Sequence, residues 1–252
     1  SPTRCCFAAG EAPSRVNTID FVEIATTGNA EDFGDITRAI SGVFCVTNST
    51  RGIIGGGEFP STFDTTMDFV TMASKGNAVV FGELIEQNSN GYRLAGTASS
   101  PTRGCFMGGT NDSPSSNTVY NLIQYVNMMT TGDAVDFGDL TVNRQTGLGG
   151  ASSSTRGVFM SGYDPSGAVN VIDFVTISSQ GGANDFGDLT EAKHNYGAGT
   201  SSQTRGIFAG GQNVPGSDKF NTIDFITIAT LGNAQDFGDL SDKVNTAATT
   251  AS

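Results

Sequence analysis

Five times along the chain a Thr-Arg pair is answered, 29 to 34 residues later, by Phe-Gly-Asp or Phe-Gly-Glu. The arginines are Arg4, Arg51, Arg103, Arg156 and Arg205, and the answering aromatics are Phe33, Phe81, Phe137, Phe186 and Phe237. The steps between arginines are 47, 52, 53 and 49 residues. Five copies of one unit, starting near residues 3, 50, 102, 155 and 204, therefore account for nearly all 252 residues. A unit this short cannot bury its apolar surface alone. Neighbouring copies must cover one another, which restricts the chain to a propeller or another repeat fold. The unbroken repeat predicts that residues 1–252 form a single domain.

The last copy shows the unit most plainly. Residues 204–211 read as a short apolar strand ending in the double glycine Gly210-Gly211, followed by a loop over 212–220. Residues 221–228, rich in β-branched and aromatic side chains, read as a second strand. Leu231 to Ala234 supplies a turn, residues 235–240 a third strand, and the small residues from Lys243 to Ser252 a fourth. The matching small-residue segments of the other copies are 41–46, 91–98, 147–152 and 197–201. Small side chains suit the strand where neighbouring units converge. Thirty-four glycines, no Trp and little 3.6-residue apolar periodicity point the same way, to an all-β fold of four-stranded antiparallel units.

Three places in this unit carry a resemblance: the double glycine, the acid–aromatic pair Asp224-Phe225, and Phe237 a dozen residues on. The unit resembles a kelch-type blade, with Phe in all five copies where that family usually has Trp. The resemblance implies a five-bladed β-propeller. In such blades the small strand belongs to the next blade, so Asn245–Ser252 is expected to pair with Thr3–Ala9 and close the ring. The competing arrangement is an open arc that associates with another copy. The fuller string, Thr-Arg-Gly-x-Phe, Asn-Thr-Ile-Asp-Phe and Gly-Asn-Ala-x-Asp-Phe-Gly-Asp-Leu, is similar to repeats in virion and fibre-like proteins of tailed phages, particularly marine ones. That resemblance implies a structural or host-attachment component of a virion. Its partners would be other virion proteins or a cell-surface glycan or protein. A lectin-like glycan-binding propeller is the alternative.

Charge excludes other partners. Twenty-five acidic residues against 13 basic give a net charge of −12, so the chain has no basic stripe for nucleic acid and is repelled by anionic lipid. No apolar run approaches the roughly 20 residues that span a bilayer, so no membrane insertion is expected, and the first residues contain no apolar leader segment. Catalytic signatures are absent too. One histidine, His194, read as a solvated surface residue beside Lys193, rules out any mechanism needing two. No nucleophile elbow, phosphate loop, Cys-x-x-Cys pair or EF-hand string occurs, so no catalytic residue, metal or cofactor is assigned. Cys6 and Cys105 stand where other copies have Ile53, Val158 and Ile207. They read as core thiols, with a Cys45 bond to Cys5 or Cys6 as the minority reading.

The repeated Arg residues are read as structural, paired with acids such as Asp35, Glu83, Asp139, Asp188 and Asp239 in equivalent bridges or turn caps. The repeated Phe residues are read as core. The loops after the double glycine vary most and carry Phe59, Phe63, Tyr120, Tyr163 and Phe220. Variable loops on a rigid scaffold are where binding tends to reside. These five aromatics are therefore the candidate ligand-binding residues, unless they serve to pin their own loops. Two departures stand out: Gln124-Tyr125 in place of Asp-Phe, and Val80 in place of Asp before Phe81.

Overall fold

A computed structural model describes residues 3–11, 13–60, 62–86, 96–113, 116–145, 149–194, 198–213 and 218–244. Every element among these residues is a strand, and the strands form five antiparallel sheets in chain order. The first holds β1 (Arg4–Glu11), β2 (Arg15–Glu23) and β3 (Glu31–Ile40). The second holds β4 (Phe44–Thr47), β5 (Arg51–Gly55), β6 (Thr66–Thr71) and β7 (Val79–Glu83). The third holds β8 (Gly96–Ser99), β9 (Arg103–Ser113), β10 (Ser116–Asn127) and β11 (Val135–Asp139). The fourth holds β12 (Gly149–Ser152), β13 (Arg156–Met160), the two-residue β14 (Tyr163–Asp164), β15 (Gly167–Thr176) and β16 (Asn184–Lys193). The fifth holds β17 (Ala198–Ser201), β18 (Arg205–Ala209), β19 (Phe220–Thr227) and β20 (Gln235–Val244).

The strand order within each unit follows the sequence reading, with shifted bounds. In the second sheet the small-residue strand begins at Phe44 rather than Ser41, and in the next three the described part runs from Gly96, Gly149 and Ala198. In the last copy, Lys243 and Val244 extend the third strand. The expected fourth strand, Asn245–Ser252, otherwise lies outside the described residues, and the first sheet shows three strands among them.

Two local devices explain the repeated glycines. Each Phe-Gly sits at a β-bulge: Ile19 faces Gly34 while Asp20 faces Asp32, so Phe33 is the extra residue, and the same slip recurs in all five sheets. The glycine takes a φ between +138° and +159°, a conformation that side chains disfavour. In three copies the preceding acid fixes the bulge, with Gly34, Gly187 and Gly238 donating their N–H to Asp32, Asp185 and Asp236. Val80 cannot do this. The first residue of the double glycine is left-handed as well, and Ala9 and Ser161 hold the same geometry at φ 60° and 66°.

Consecutive sheets pack face on face, with one apolar core at each of the four junctions. Phe33, Phe81, Phe137 and Phe186 are buried, one in each core. Phe237, at the outer face of the fifth sheet, is 52% exposed. On the first sheet, Phe7 and Ile24 are exposed, although their counterparts Phe106, Phe159, Met72 and Ile177 are buried. Among the described residues no strand pairing joins the fifth sheet to the first.

Candidate functional site

The repeated polar residues converge on the junctions between sheets. Each repeat arginine lies over the aromatic ring of its own second strand. The guanidinium carbon is 4.5 Å from the ring centroid at Arg51–Phe69, Arg103–Tyr125, Arg156–Phe174 and Arg205–Phe225, and 5.0 Å at Arg4–Phe21. That ring meets the bulged Phe edge-on, as in Phe174–Phe186 at 6.0 Å. The guanidinium then reaches the next sheet. Arg4, Arg51, Arg103 and Arg156 donate from Nη1 to the carbonyls of Met72, Met128, Ile177 and Ile228 at 2.7–3.3 Å. The expected pairing of these arginines with the acids after Phe-Gly is thus corrected, because their partners are a ring and a backbone carbonyl. Among the described residues, the one carboxylate on a repeat arginine is Glu23, on Arg4, at 2.7 Å.

The Phe-Gly-Asp segments bond the turn of the following sheet. Gly76, Gly132, Gly181 and Gly232 donate to the carbonyls of Phe33, Phe81, Phe137 and Phe186. Ala78, Ala134, Ala183 and Ala234 donate to the residue two further on in each case, at 2.7–2.8 Å. The approach is so close that a Cβ at Gly34, Gly82, Gly138 or Gly187 would lie 2.2–2.6 Å from backbone atoms of the next sheet. Glycine is required there by its neighbour as well as by its φ.

The second-strand acids answer the segment beyond Phe-Gly-Asp. Asp68, Asp173 and Asp224 are fully buried, a cost that burial imposes on any charge lacking partners. Thr37, Thr141 and Thr190 of the preceding sheet donate their hydroxyls to these carboxylates, and Thr37 and Thr141 their N–H groups too. Arg38, Arg144 and Lys193 complete the pairs. Arg144 is itself buried against Asp173, and desolvation holds its guanidinium below the usual arginine range despite that carboxylate. At the junction of the second and third sheets Gln124 replaces the acid, Ile85 replaces the Thr, and the Ile85 N–H donates to Gln124 Oε1.

The loop aromatics are half-buried rather than displayed. Phe59 packs on the core between the first two sheets, and Tyr120 on the next core. Phe63 is drawn into a bridge with Glu58. Tyr163 lies 5.6 Å from the ring of His194, and the Lys193 ammonium lies over Phe220 at 5.6 Å. His194 is buried, contrary to the solvated reading. It exchanges both backbone bonds with Gln212 at 2.8 Å, which places it beneath the fifth sheet's loop. Neighbour geometry decided this, and the letter sequence around His194 gave no sign of it.

The four cysteines are free thiols. Cys105 is a core residue as expected, with burial pushing its thiol up to about 12. Cys5, Cys6 and Cys45 line a cavity of about 200 Å³ between the first and second sheets, together with Ile24, Gly52 and Met72. Among the described residues no group of three or more His, Cys, Asp or Glu is placed to hold a metal ion. Among the described residues no helix is long and apolar enough to cross a membrane. Comparison with protein-family models and with curated proteins found no match.

Proposed function

We propose that this chain is a non-catalytic structural and interaction module built of propeller-type blades, and that it serves as a component of a tailed-phage particle such as a fibre, appendage or surface part. The observation that carries the non-catalytic reading is the repeated junction. The Arg, Asp, Thr and Phe-Gly groups that a ligand ring would need are engaged in holding one sheet to the next. The virion assignment is supported by the resemblance of the repeat string to those of phage fibre-like proteins. The excess of acid fits a protein that must stay soluble while presenting many surfaces.

Antibodies raised against the purified chain and applied to phage particles in electron microscopy test this reading. Label at a defined place on intact particles supports it. Label confined to the particle-free lysate, together with specific retention of the chain on a glycan array, overturns it in favour of a free lectin.

A further inference from the structure

The two outer faces of the five-sheet row are matching halves of the junction that recurs four times inside it. On the first sheet, Ile24 is 51% exposed where Met72, Met128, Ile177 and Ile228 are buried. Ala30 and Asp20 are exposed where Ala78, Ala134, Asp68 and Asp224 are buried. The place of Gly76 is taken by Gly28, with open space around it. On the fifth sheet, Phe237 and Arg205 are exposed. Leu240 is half-buried where Leu84, Leu140 and Leu189 are buried. A Cβ at Gly238 would meet nothing within 4 Å, although at the four equivalent glycines it would strike the next sheet. Among the described residues, Arg205 has no carbonyl acceptor of the kind that its four counterparts reach.

Among the described residues, the first sheet supplies no filling of the kind that the next three supply. Beside Gly104, Gly157 and Gly206 lie Val46, Ala98 and Ala151, from the small-residue strand of the preceding sheet. Beside Gly52 the described neighbours are side chains of its own sheet, and the 200 Å³ cavity opens there.

We infer that the outer face of the fifth sheet docks on the outer face of the first sheet of a second copy of this chain, head to tail. In that junction Gly28 and Ala30 of one copy donate to the Phe237 and Asp239 carbonyls of the other, and Arg205 reaches the Ile24 carbonyl. The occupant is a second copy because both halves of the junction are present on one chain, and within that chain Phe237 and Ile24 both remain exposed. Such a contact is heterologous, so each copy leaves one free half and growth continues until the rotation closes a ring or runs on as a filament. This assembly does not depend on what the protein binds or where it resides.

The test is light scattering on the intact chain over a hundredfold concentration range, with two blocked variants. Ile24→Glu/Ala30→Glu spoils the first-sheet face, and Leu240→Glu the fifth-sheet face, at positions that are not buried within one chain. The expected result is a wild-type mass above 26 kDa that rises with concentration, and self-association at least tenfold weaker in each variant. An equimolar mixture of the two variants is expected to form a species of two chains, because each keeps the half the other lost. A wild-type mass of one chain throughout overturns the inference. If Ile24→Glu/Ala30→Glu then also lowers the melting temperature, the faces close within one chain instead. Association that survives both blocks, or variants that do not complement, overturns it as well. Matching circular dichroism spectra establish that the variants are folded.

Discussion

The backbone N–H of Ile85 donates to Gln124 Oε1 at 2.7 Å, across the junction of the second and third sheets. Elsewhere this place joins a Thr hydroxyl to a buried Asp, as in Thr141–Asp173 and Thr190–Asp224. Losing the hydroxyl and losing the charge occur together, so the pair remains satisfied with a neutral amide. Gln124→Asp restores the repeat carboxylate opposite Ile85, which has no hydroxyl to donate to it, and buries a charge where the chain has a neutral amide. It is expected to destabilise by about 3 kcal/mol, the scale of a broken buried pair. Adding Ile85→Thr is expected to recover about 1 kcal/mol through the new hydrogen bond. Urea unfolding of the single and double variants measures both, and equal stability of the two would refute the pairing.

The arginine repeat makes a comparative prediction. Arg156 stacks on Phe174 and donates to the Ile228 carbonyl at 2.7 Å, whereas Arg205 stacks on Phe225 with no such acceptor among the described residues. A hydrogen bond from a charged donor contributes roughly 1.5–3 kcal/mol and an exposed cation–π contact about 0.5–1. Arg156→Ala is therefore expected to cost about 2 kcal/mol more than Arg205→Ala, as measured by chemical denaturation at low concentration, where copies stay apart. Equal losses would mean that the carbonyl bond contributes little.

Phenylalanine gives the same contrast in apolar form. Phe186 is 3% exposed and Phe237 52%, though both occupy the bulge position and meet a second-strand ring edge-on. Phe186→Ala is expected to cost roughly 3–5 kcal/mol, as for a packed core. Phe237→Ala in the dilute protein should cost about a third of that. Thermal melts of both variants check it, and comparable losses would place Phe237 in a core.

Much of this was legible in the letters. Repeat length, strand order and the core role of Phe33, Phe81, Phe137 and Phe186 follow from the period and residue type. The partner of each repeat arginine did not, because a backbone carbonyl has no letter and a nearby acid is the partner that composition suggests. The Asp–Thr pairs across junctions carry a signal in the sequence. Where Gln124 breaks the acid series, Ile85 breaks the Thr series one copy earlier. The burial of His194 had none, since it depends on Gln212 pairing with it from the next sheet. Phe59, Tyr120 and Phe220 show the same limit, because each meets a neighbouring sheet that sequence spacing does not locate.

Cys105 ties stability to alkaline pH. Its thiol rises from an ordinary 9.0 to about 12, with burial as the leading cause. A group whose folded pKa is raised keeps its full contribution below the unfolded value and loses it as pH climbs toward the folded one. The window is therefore pH 9 to 12, with a loss on the order of 1 kcal/mol by pH 10. Cys105→Val, the residue type found at Val158, should be nearly neutral at pH 7 and shallower above pH 9. Melting temperatures of both proteins from pH 7 to 10.5 decide it, and parallel curves would remove Cys105 as the cause.

The glycines of Phe-Gly-Asp separate backbone strain from contact between sheets. Gly187 and Gly238 have φ of 142° and 138°, so an alanine is strained alike in both, by about 1–3 kcal/mol. At Gly187 the new Cβ would also lie 2.5 Å from the carbonyl carbon of Gly232, while at Gly238 it would meet nothing within 4 Å. The chain on the far side is backbone held by the Phe186 and Asp188 carbonyls, so it cannot swing away as a flexible side chain would. Gly187→Ala is expected to cost about 2 kcal/mol more than Gly238→Ala, the typical size of overpacking. Urea midpoints of the two variants in dilute solution measure the difference. A Gly238→Ala loss as large as that at Gly187 would mean that the fifth sheet already has a neighbour within its own chain.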